Sequence, residues 1–258
     1  LGERLMRRAL LAVIPYRTRF TPLLRIGQWL RPFLPPVIKR AIPSRTAAPA
    51  WPTARHARRM LVLEGCAQPA LAPGINTAAA RVLDRLGVSL IVADGAGCCG
   101  AASHHTSAME EGLNFARRNV DAWWPHIEAG CEAIVMTASG CGVHVKEYGH
   151  LLARDPAYAA KAKRVAELTK DLSECLAGED LGRLKGSADT RRRVAFQSPC
   201  TLQHGQKLNG VVEKILRDLG FTLTAVPDAH LCCGSAGTYS ILQKSLSRQL
   251  LERKVNAL

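Results

Sequence analysis

Two cysteine doublets carry most of the chemistry that this chain offers. Each doublet is followed by a glycine, and each lies 32 residues after a lone cysteine. The two sets are Cys66 with Cys98, Cys99 and Gly100, and Cys200 with Cys232, Cys233 and Gly234. Equal spacing indicates an internal duplication. Cysteines repeated at fixed spacing either bridge one another or bind a metal or an iron–sulfur cluster.

Several kinds of cysteine chemistry remain open on the residues alone. A [4Fe–4S] cluster commonly takes four thiolate ligands, and the first repeat offers four. Structural zinc also takes four thiolates, but adjacent cysteines suit it poorly, whereas neighbouring thiolates can reach different irons of a cluster. A redox-active dithiol or buried structural cysteines would also account for the pattern. The candidate ligands are Cys66, Cys98, Cys99 and Cys141 in the first repeat, and Cys200, Cys232 and Cys233 in the second, incomplete set.

The elements around the cysteines predict an α/β fold with two tandem β-α-β-α-β repeats. The first repeat has strand patterns at 59–64, 88–93 and 133–137, with helix patterns at 73–86 and 110–129. A cysteine follows each strand. Strands that alternate with helices form mostly parallel sheets, whose carboxyl ends lie at one edge. We therefore expect Cys66, Cys98, Cys99 and Cys141 to converge in space.

The second repeat follows the same order but is shorter. Strands are predicted at 193–197 and 221–226, with helices at 211–219 and 241–258. The predicted domains are a basic linker or amphipathic segment at 1–58, the first repeat with a following helix (156–177) at 59–178, a polar linker at 179–192 and the second repeat at 193–258. Because the chain begins at Leu1 and the second repeat lacks its third strand, we expect a fragment.

The positive charge is concentrated at one end of the chain. The net charge is +14, and residues 1–60 hold thirteen of the 35 Lys and Arg residues, one acidic residue and eight of the fourteen prolines. This segment is either a solvated linker or an amphipathic helix, over about 5–19, on a partner or an anionic membrane. Few aromatic residues and no recognised motif argue against nucleic-acid binding.

The cysteine count indicates a reducing compartment. Nine cysteines cannot all pair internally, and no secretory signal is visible. In such a compartment, clustered cysteines are expected to bind metal or to act in catalysis rather than to form disulfides. Cys131 and Cys175 lie outside the repeat and are expected to be buried structural residues. We expect structural or supporting roles for the histidines near the motifs, without assigning a role to each. These histidines are His104, His105, His204 and His230.

The motifs resemble a known family. The doubled Cys…Cys-Cys-Gly pattern resembles the cysteine-rich CCG domain of heterodisulfide reductase B subunits. Over residues 58–258, in stretches such as AGCCGAASHH, SPCTLQHGQKL and AHLCCGSAGTYSILQ, the chain is similar to the iron–sulfur subunits of bacterial glycolate oxidase. The resemblance implies an electron-transfer subunit of an oxidoreductase, itself not catalytic for glycolate. FAD-containing partner subunits would oxidise glycolate to glyoxylate, and electrons would pass through the iron–sulfur subunit towards a quinone-type acceptor. The resemblance also implies that the protein is cytoplasmic, either free or peripheral on the inner membrane.

The chain departs from its relatives in two places. Ala138 stands where the heterodisulfide reductase pattern has a cysteine, which leaves four thiols in the first repeat. The Cys-x2-Cys-x2-Cys-x3-Cys runs of the family's ferredoxin-like domain are not in this sequence. Two competing functions therefore stay open beside electron transfer. One is a docking module for the flavin subunits with zinc-bound or structural cysteines, and the other is a thiol–disulfide oxidoreductase of the heterodisulfide reductase type.

Overall fold

The computed structural model describes residues 2–186 and 188–257. Three residues of the predicted segments lie outside the described residues. They are Leu1 of the first segment, Ser187 of the predicted 179–192 linker and Leu258 of the last segment. The chain folds as predicted into a mixed α/β structure with parallel sheets.

The first repeat is built on a four-stranded parallel sheet. Its strands are β1 (Arg58–Val62), β2 (Val88–Val92), β3 (Ile134–Met136) and β4 (Thr169–Asp171), in the order β2-β1-β3-β4. On β1, which pairs with both β2 and β3, Leu61 lies opposite Ile91 on one side and Ile134 on the other. Helices cover both faces of the sheet. The inner strands β1 and β3 therefore contain runs of consecutive buried apolar residues and do not alternate between apolar and polar residues.

Helices on the two faces of this sheet enclose two apolar cores. Leu61 and Trp123 belong to one core, and Val62 and Leu83 to the other, because successive side chains of β1 point to opposite faces. The helices of the first repeat are α4 (Gln68–Leu71), α5 (Gly74–Arg85), α6 (Ala101–His105), α7 (Met109–Glu128), α8 (Ser139–Lys146), α9 (Tyr148–Leu151), α10 (Ala159–Leu168) and α11 (Leu172–Ala177).

The single helix predicted at 156–177 is wrong, because a short strand divides it. The three residues of β4 pair with β3, and Asp171 ends the strand and caps α11. Its carboxylate accepts hydrogen bonds from the backbone N–H of Ser173 at 2.9 Å and from the Ser173 hydroxyl at 2.7 Å. Glu174 in turn accepts from the backbone N–H of Asp171 at 2.8 Å, which completes a capping box. The cap starts a new helix and so allows the strand before it.

The segment predicted as a polar linker at 179–192 is partly packed. Its 3₁₀ turn, Leu181–Leu184, places Leu184 in the second apolar core. Arg183 also donates a hydrogen bond to the carbonyl of Leu86 at 2.8 Å. The connection between the repeats is therefore attached to the first repeat rather than free in solvent.

The second repeat has a smaller parallel sheet of two strands, β5 (Arg193–Ala195) and β6 (Thr222–Thr224). None of these six strand residues is buried. A π-helical turn, Thr201–Gly205, follows Cys200 directly. The remaining helices are α12 (Val211–Asp218), α13 (Tyr239–Leu242) and α14 (Lys244–Asn256), so the single helix predicted at 241–258 is interrupted at Gln243.

The basic N-terminal segment is helical and contacts the first repeat. It forms α1 (Gly2–Val13), α2 (Arg17–Leu30), a 3₁₀ turn (Arg31–Phe33) and α3 (Pro36–Ala41). The hydroxyl of Tyr16 donates to Glu111 at 2.7 Å, and Arg17 pairs with Glu64 at 2.6 Å. Within residues 2–186 and 188–257, no helix combines the length and apolar character required to cross a membrane.

The capping box predicts a position-specific loss of stability. We expect Asp171→Ala to lower the free energy of unfolding by about 2 kcal/mol, because a buried cap and the partner of the Ser173 hydroxyl are lost together. Asp180→Ala is the matched control, since Asp180 is an exposed cap that accepts one bond, from the Gly182 N–H at 2.9 Å. It should cost about 0.5 kcal/mol. Urea unfolding measures both, and equal losses would contradict the capping account.

Candidate functional site

The structure brings the four predicted cysteines of the first repeat together. Cys66 follows β1, Cys98 and Cys99 follow β2, and Cys141 lies in the first turn of α8 after β3. The thiols form a continuous series in which Cys66 is next to Cys98, and Cys99 is next to Cys141. All four are free thiols, and the doublet is buried.

The close packing of these thiols raises their pKa values. Hydrogen bonding to Cys98, followed by burial, raises the pKa of the Cys66 thiol far above its ordinary value. For Cys98, the bond with Cys66 lowers the pKa, but contact with Cys99 and burial outweigh it and raise the pKa to about 12. Contact with Cys141, together with burial, raises the pKa of Cys99. Protonated thiols are poor nucleophiles, which disfavours thiol–disulfide exchange at this site.

A buried hydrogen-bond network holds the doublet loop in place. The amide of Asn119 donates to the carbonyl of Cys98 at 2.9 Å and to the hydroxyl of Tyr148 at 3.1 Å. That hydroxyl donates to the carbonyl of Cys99 at 2.6 Å, and the Asn119 carbonyl oxygen accepts from the Gly97 N–H at 2.9 Å. Both side chains are fully buried. They therefore fix the backbone from which both thiols project.

Sequence reasoning did not identify Asn119 or Tyr148 as site residues. A signal for Asn119 was present, because it is a polar residue in the apolar stripe of α7 that includes Phe115, Ala116 and Trp123. A polar side chain on a buried helix face needs a partner inside the protein. Here the partners are the loop residues that carry the cysteines.

The glycine after each doublet has the same geometry in both repeats. The N–H of Gly100 donates to Cys98 Sγ at 3.4 Å, and that of Gly234 donates to Cys232 Sγ at 3.3 Å. Both glycines have positive φ, and a Cβ on Gly100 would lie 2.6 Å from the carbonyl oxygen of Gly112. The duplication seen in the spacing is thus also a duplication of local structure.

The second cysteine group is more open than the first. Cys232 is exposed, and Cys200 and Cys233 are half-buried. Burial, and then the neighbouring Cys232, raise the pKa of Cys200, so these thiols also lie close together. The structure therefore gathers three thiols in this repeat.

The elements that carry the two cysteine groups are in direct contact with each other. The hydroxyls of Ser139, at the start of α8, and Thr201, next to Cys200, lie 2.6 Å apart. Gln206 donates to the carbonyl of Ser139 at 3.2 Å. A Cβ on Gly205 would lie 2.6 Å from Val143 Cγ2, so this glycine allows the close approach. The helix that carries Cys141 thus packs on the turn that follows Cys200.

The other predicted residues lie in different settings. Cys131 and Cys175 are buried in the two apolar cores. His204 lies 3.0 Å from the carbonyl of His230, which joins the ends of two loops of the second repeat. The rings of His104 and His105 pack against His144, a buried histidine that the sequence pattern did not single out.

The donor set fits an iron–sulfur cluster. Four thiols from three loops come together, and the Gly100 N–H already donates to one sulfur, as backbone amides do around such clusters. Among the described residues, no three His, Cys, Asp or Glu side chains are arranged to hold a single metal ion. A cluster presents several irons, so its ligands need not converge on one point.

Comparison with known proteins gives a consistent group of relatives. The model of the cysteine-rich CCG domain matches residues 60–146 and 194–258. The chain is 56% identical to "Glycolate oxidase iron-sulfur subunit" of Escherichia coli strain K12, over all of this chain and 63% of that protein. It is 28% identical to "Probable glycolate oxidase iron-sulfur subunit" of Bacillus subtilis strain 168, over 78% of this chain and 45% of that protein.

A second group of relatives has a different name. The chain is 30% identical to "Lactate utilization protein A" of Bacillus velezensis, over 70% of this chain and 74% of that protein. The chain spans less than two thirds of the length of the two glycolate oxidase relatives above.

The buried network predicts that one hydroxyl stabilises the doublet loop. We expect Tyr148→Phe to lower the free energy of unfolding by about 1–3 kcal/mol, because the Cys99 carbonyl and one Asn119 N–H lose their buried partner. Tyr158→Phe removes a surface hydroxyl that donates to Asp121 at 2.7 Å and should cost about 0.5 kcal/mol. Urea unfolding of the two variants makes the comparison, and equal costs would show that the network does not stabilise the loop.

Proposed function

The chain belongs to the cysteine-rich CCG domain family, and from this we propose that it is an iron–sulfur electron-transfer subunit of a glycolate-oxidising complex. The observation that carries the proposal is the convergence of Cys66, Cys98, Cys99 and Cys141 at the carboxyl ends of three strands. The name of the Escherichia coli relative supports the iron–sulfur character and the substrate.

The first cysteine group would hold a [4Fe–4S] cluster, which supplies one-electron transfer when bound. Its four cysteines would be the ligands. Asn119 and Tyr148 orient the loop of Cys98 and Cys99, and the Gly100 N–H supplies a hydrogen bond to sulfur. The apolar core around Cys99 excludes water from this side of the site, which favours a well-defined potential.

The second cysteine group would be a further, incomplete cluster site with Cys200, Cys232 and Cys233 as ligands. Its support is the contact between α8 and the turn after Cys200, which places the two groups on adjoining elements. Neighbouring redox groups suit a subunit that relays electrons rather than one that transforms a substrate. The partners would be FAD-containing subunits that oxidise glycolate, and the acceptor would be of the quinone type.

The N-terminal segment supports a peripheral contact with the cytoplasmic face of the inner membrane. Leu23, Ile26 and Leu30 are exposed on α2 and lie three or four residues apart, which is the spacing of one helix face. Phe33 in the 3₁₀ turn and Val37 in α3 are also exposed, and we refer to these five side chains as the apolar stripe. Basic residues flank it, and a basic amphipathic helix binds anionic lipid surfaces through both features.

A docking module with zinc-bound or structural cysteines is the competing function. Iron and sulfide analysis separates the two. We expect about four irons and four sulfides per chain for each complete cluster after anaerobic preparation. Cys98→Ala should lose the iron of the first group, whereas Cys175→Ala, which removes a buried thiol outside the site, should retain it. Zinc or no metal in the unsubstituted protein would favour the docking module.

The apolar stripe predicts binding to anionic vesicles. We expect Phe33→Glu to weaken co-sedimentation with phosphatidylglycerol vesicles at low salt by roughly tenfold, because burying a Phe side chain contributes about 1.5–3 kcal/mol. Phe33 is 80% exposed. Met109→Glu changes an exposed apolar residue outside the segment and should leave binding unchanged. Equal binding of the unsubstituted protein to neutral phosphatidylcholine vesicles would contradict an electrostatic contact.

A further inference from the structure

Three histidines form a compact group beside the first cysteine group. The ring centroids of His104 and His105 lie 5.5 Å apart, those of His104 and His144 5.4 Å, and those of His105 and His144 5.7 Å. His105 is exposed, His104 is half-buried and His144 is 2% exposed. The group therefore extends from the surface to the interior.

The innermost ring has polar atoms without partners. Both ring nitrogens of His144 are buried and form no hydrogen bond with the described part of the chain. Burial, with smaller contributions from His104 and His105, lowers the pKa of His144 to about 4, so the ring is neutral at pH 7. A neutral imidazole has one N–H donor and one acceptor nitrogen. Buried donors are almost always satisfied in native proteins, which makes this ring an exception that needs a partner.

The position of His144 points to that partner. It lies three residues after Cys141 on α8, and residues at this spacing are neighbours on one helix face. On its other side the ring packs edge-on against Tyr148, at 5.8 Å between centroids, and the Tyr148 hydroxyl donates to the Cys99 carbonyl. The ring therefore lies one helical turn from Cys141 and packs against the tyrosine that fixes the backbone of Cys99.

We propose that the ring N–H of His144 donates a hydrogen bond to the sulfur of the cluster held by Cys66, Cys98, Cys99 and Cys141, and thereby raises its reduction potential. This proposal rests on the proposed function, because it requires a cluster at that site. In this role His144 acts on the charge of the cluster through a hydrogen bond and is not a ligand of the iron. The acceptor would be an inorganic sulfide or a cysteine sulfur, both of which accept hydrogen bonds.

The direction of the effect follows from electrostatics. Reduction adds one negative charge to the cluster, and an N–H dipole that points at sulfur stabilises the added charge. Inside a buried site with little water to screen it, this interaction is stronger than at the surface. Removing the donor should therefore make the cluster harder to reduce.

A histidine-bound metal ion is the competing explanation of the group. The three rings are near one another, but their nitrogens are not arranged to hold a common ion, as no such set occurs among the described residues. A cluster acceptor needs only one nitrogen, that of the buried ring. The exposed ring of His105 then provides a matched control in the same group.

The test is an anaerobic redox titration of the chain, followed by electron paramagnetic resonance, together with iron and sulfide analysis. His144→Phe retains an aromatic ring against Tyr148 but removes both nitrogens. We expect it to keep its iron and to shift the midpoint potential downwards by about 59 mV, which is a tenfold change in a one-electron equilibrium. His144→Gln restores an N–H donor and should recover most of the shift. His105→Phe should leave the potential unchanged.

A second measurement detects the histidine nitrogen directly in the unsubstituted protein. Pulsed electron paramagnetic resonance of the unsubstituted reduced protein, labelled with ¹⁵N-histidine, should show a nitrogen weakly coupled to the cluster spin. This coupling should be absent in His144→Gln. A strongly coupled nitrogen would make histidine an iron ligand and overturn the proposal, as would no histidine coupling.

The remaining outcomes are also decisive. A loaded His144→Phe protein with an unchanged potential would overturn the role of His144 alone, leaving the proposed function in place. An unsubstituted protein without iron would overturn the proposed function, and the hydrogen bond to a cluster with it.

Discussion

The two buried hydrogen bonds that end on the carbonyls of Cys98 and Cys99 are the interaction on which the site depends. They come from Asn119 on α7 and Tyr148 on α9, so the end of β2 is fixed by elements far away in the sequence. Each of these polar groups is buried, and each would be costly to leave without a partner. The directions of two thiols are therefore set by the packing of the whole first repeat rather than by the loop alone.

The two repeats share a local motif but differ in their surroundings. In both, a glycine with positive φ donates its N–H to the first sulfur of the doublet. The first repeat surrounds this motif with a four-stranded sheet and two apolar cores, whereas the second has two short strands and an exposed Cys232. The same cysteine motif is therefore buried in the first repeat and more exposed to solvent in the second. A difference in solvent exposure is one way in which a protein separates the potentials of two clusters.

The convergence of the first four cysteines could be predicted, because parallel strands bring their carboxyl ends to one edge of a sheet. Asn119, Tyr148 and His144 could not be assigned a role, since their contacts depend on how each helix is rotated against the sheet. The strand β4 was missed because three residues carry almost no periodicity, and its end coincides with the start of a capped helix. The contact between Ser139 and Thr201 joins residues 62 positions apart and has no sequence signal of its own.

The small size of the second sheet has a consequence for the order of folding. A two-stranded sheet without buried strand residues is at most marginally stable alone, so the second repeat depends on the packing of α12 on α11 and of the turn after Cys200 on α8. Chain synthesis proceeds from the N-terminus, and the first repeat emerges as a complete sheet before the second begins. The first sheet can therefore be complete before the elements that pack on this repeat, α12 and the turn after Cys200, are synthesised.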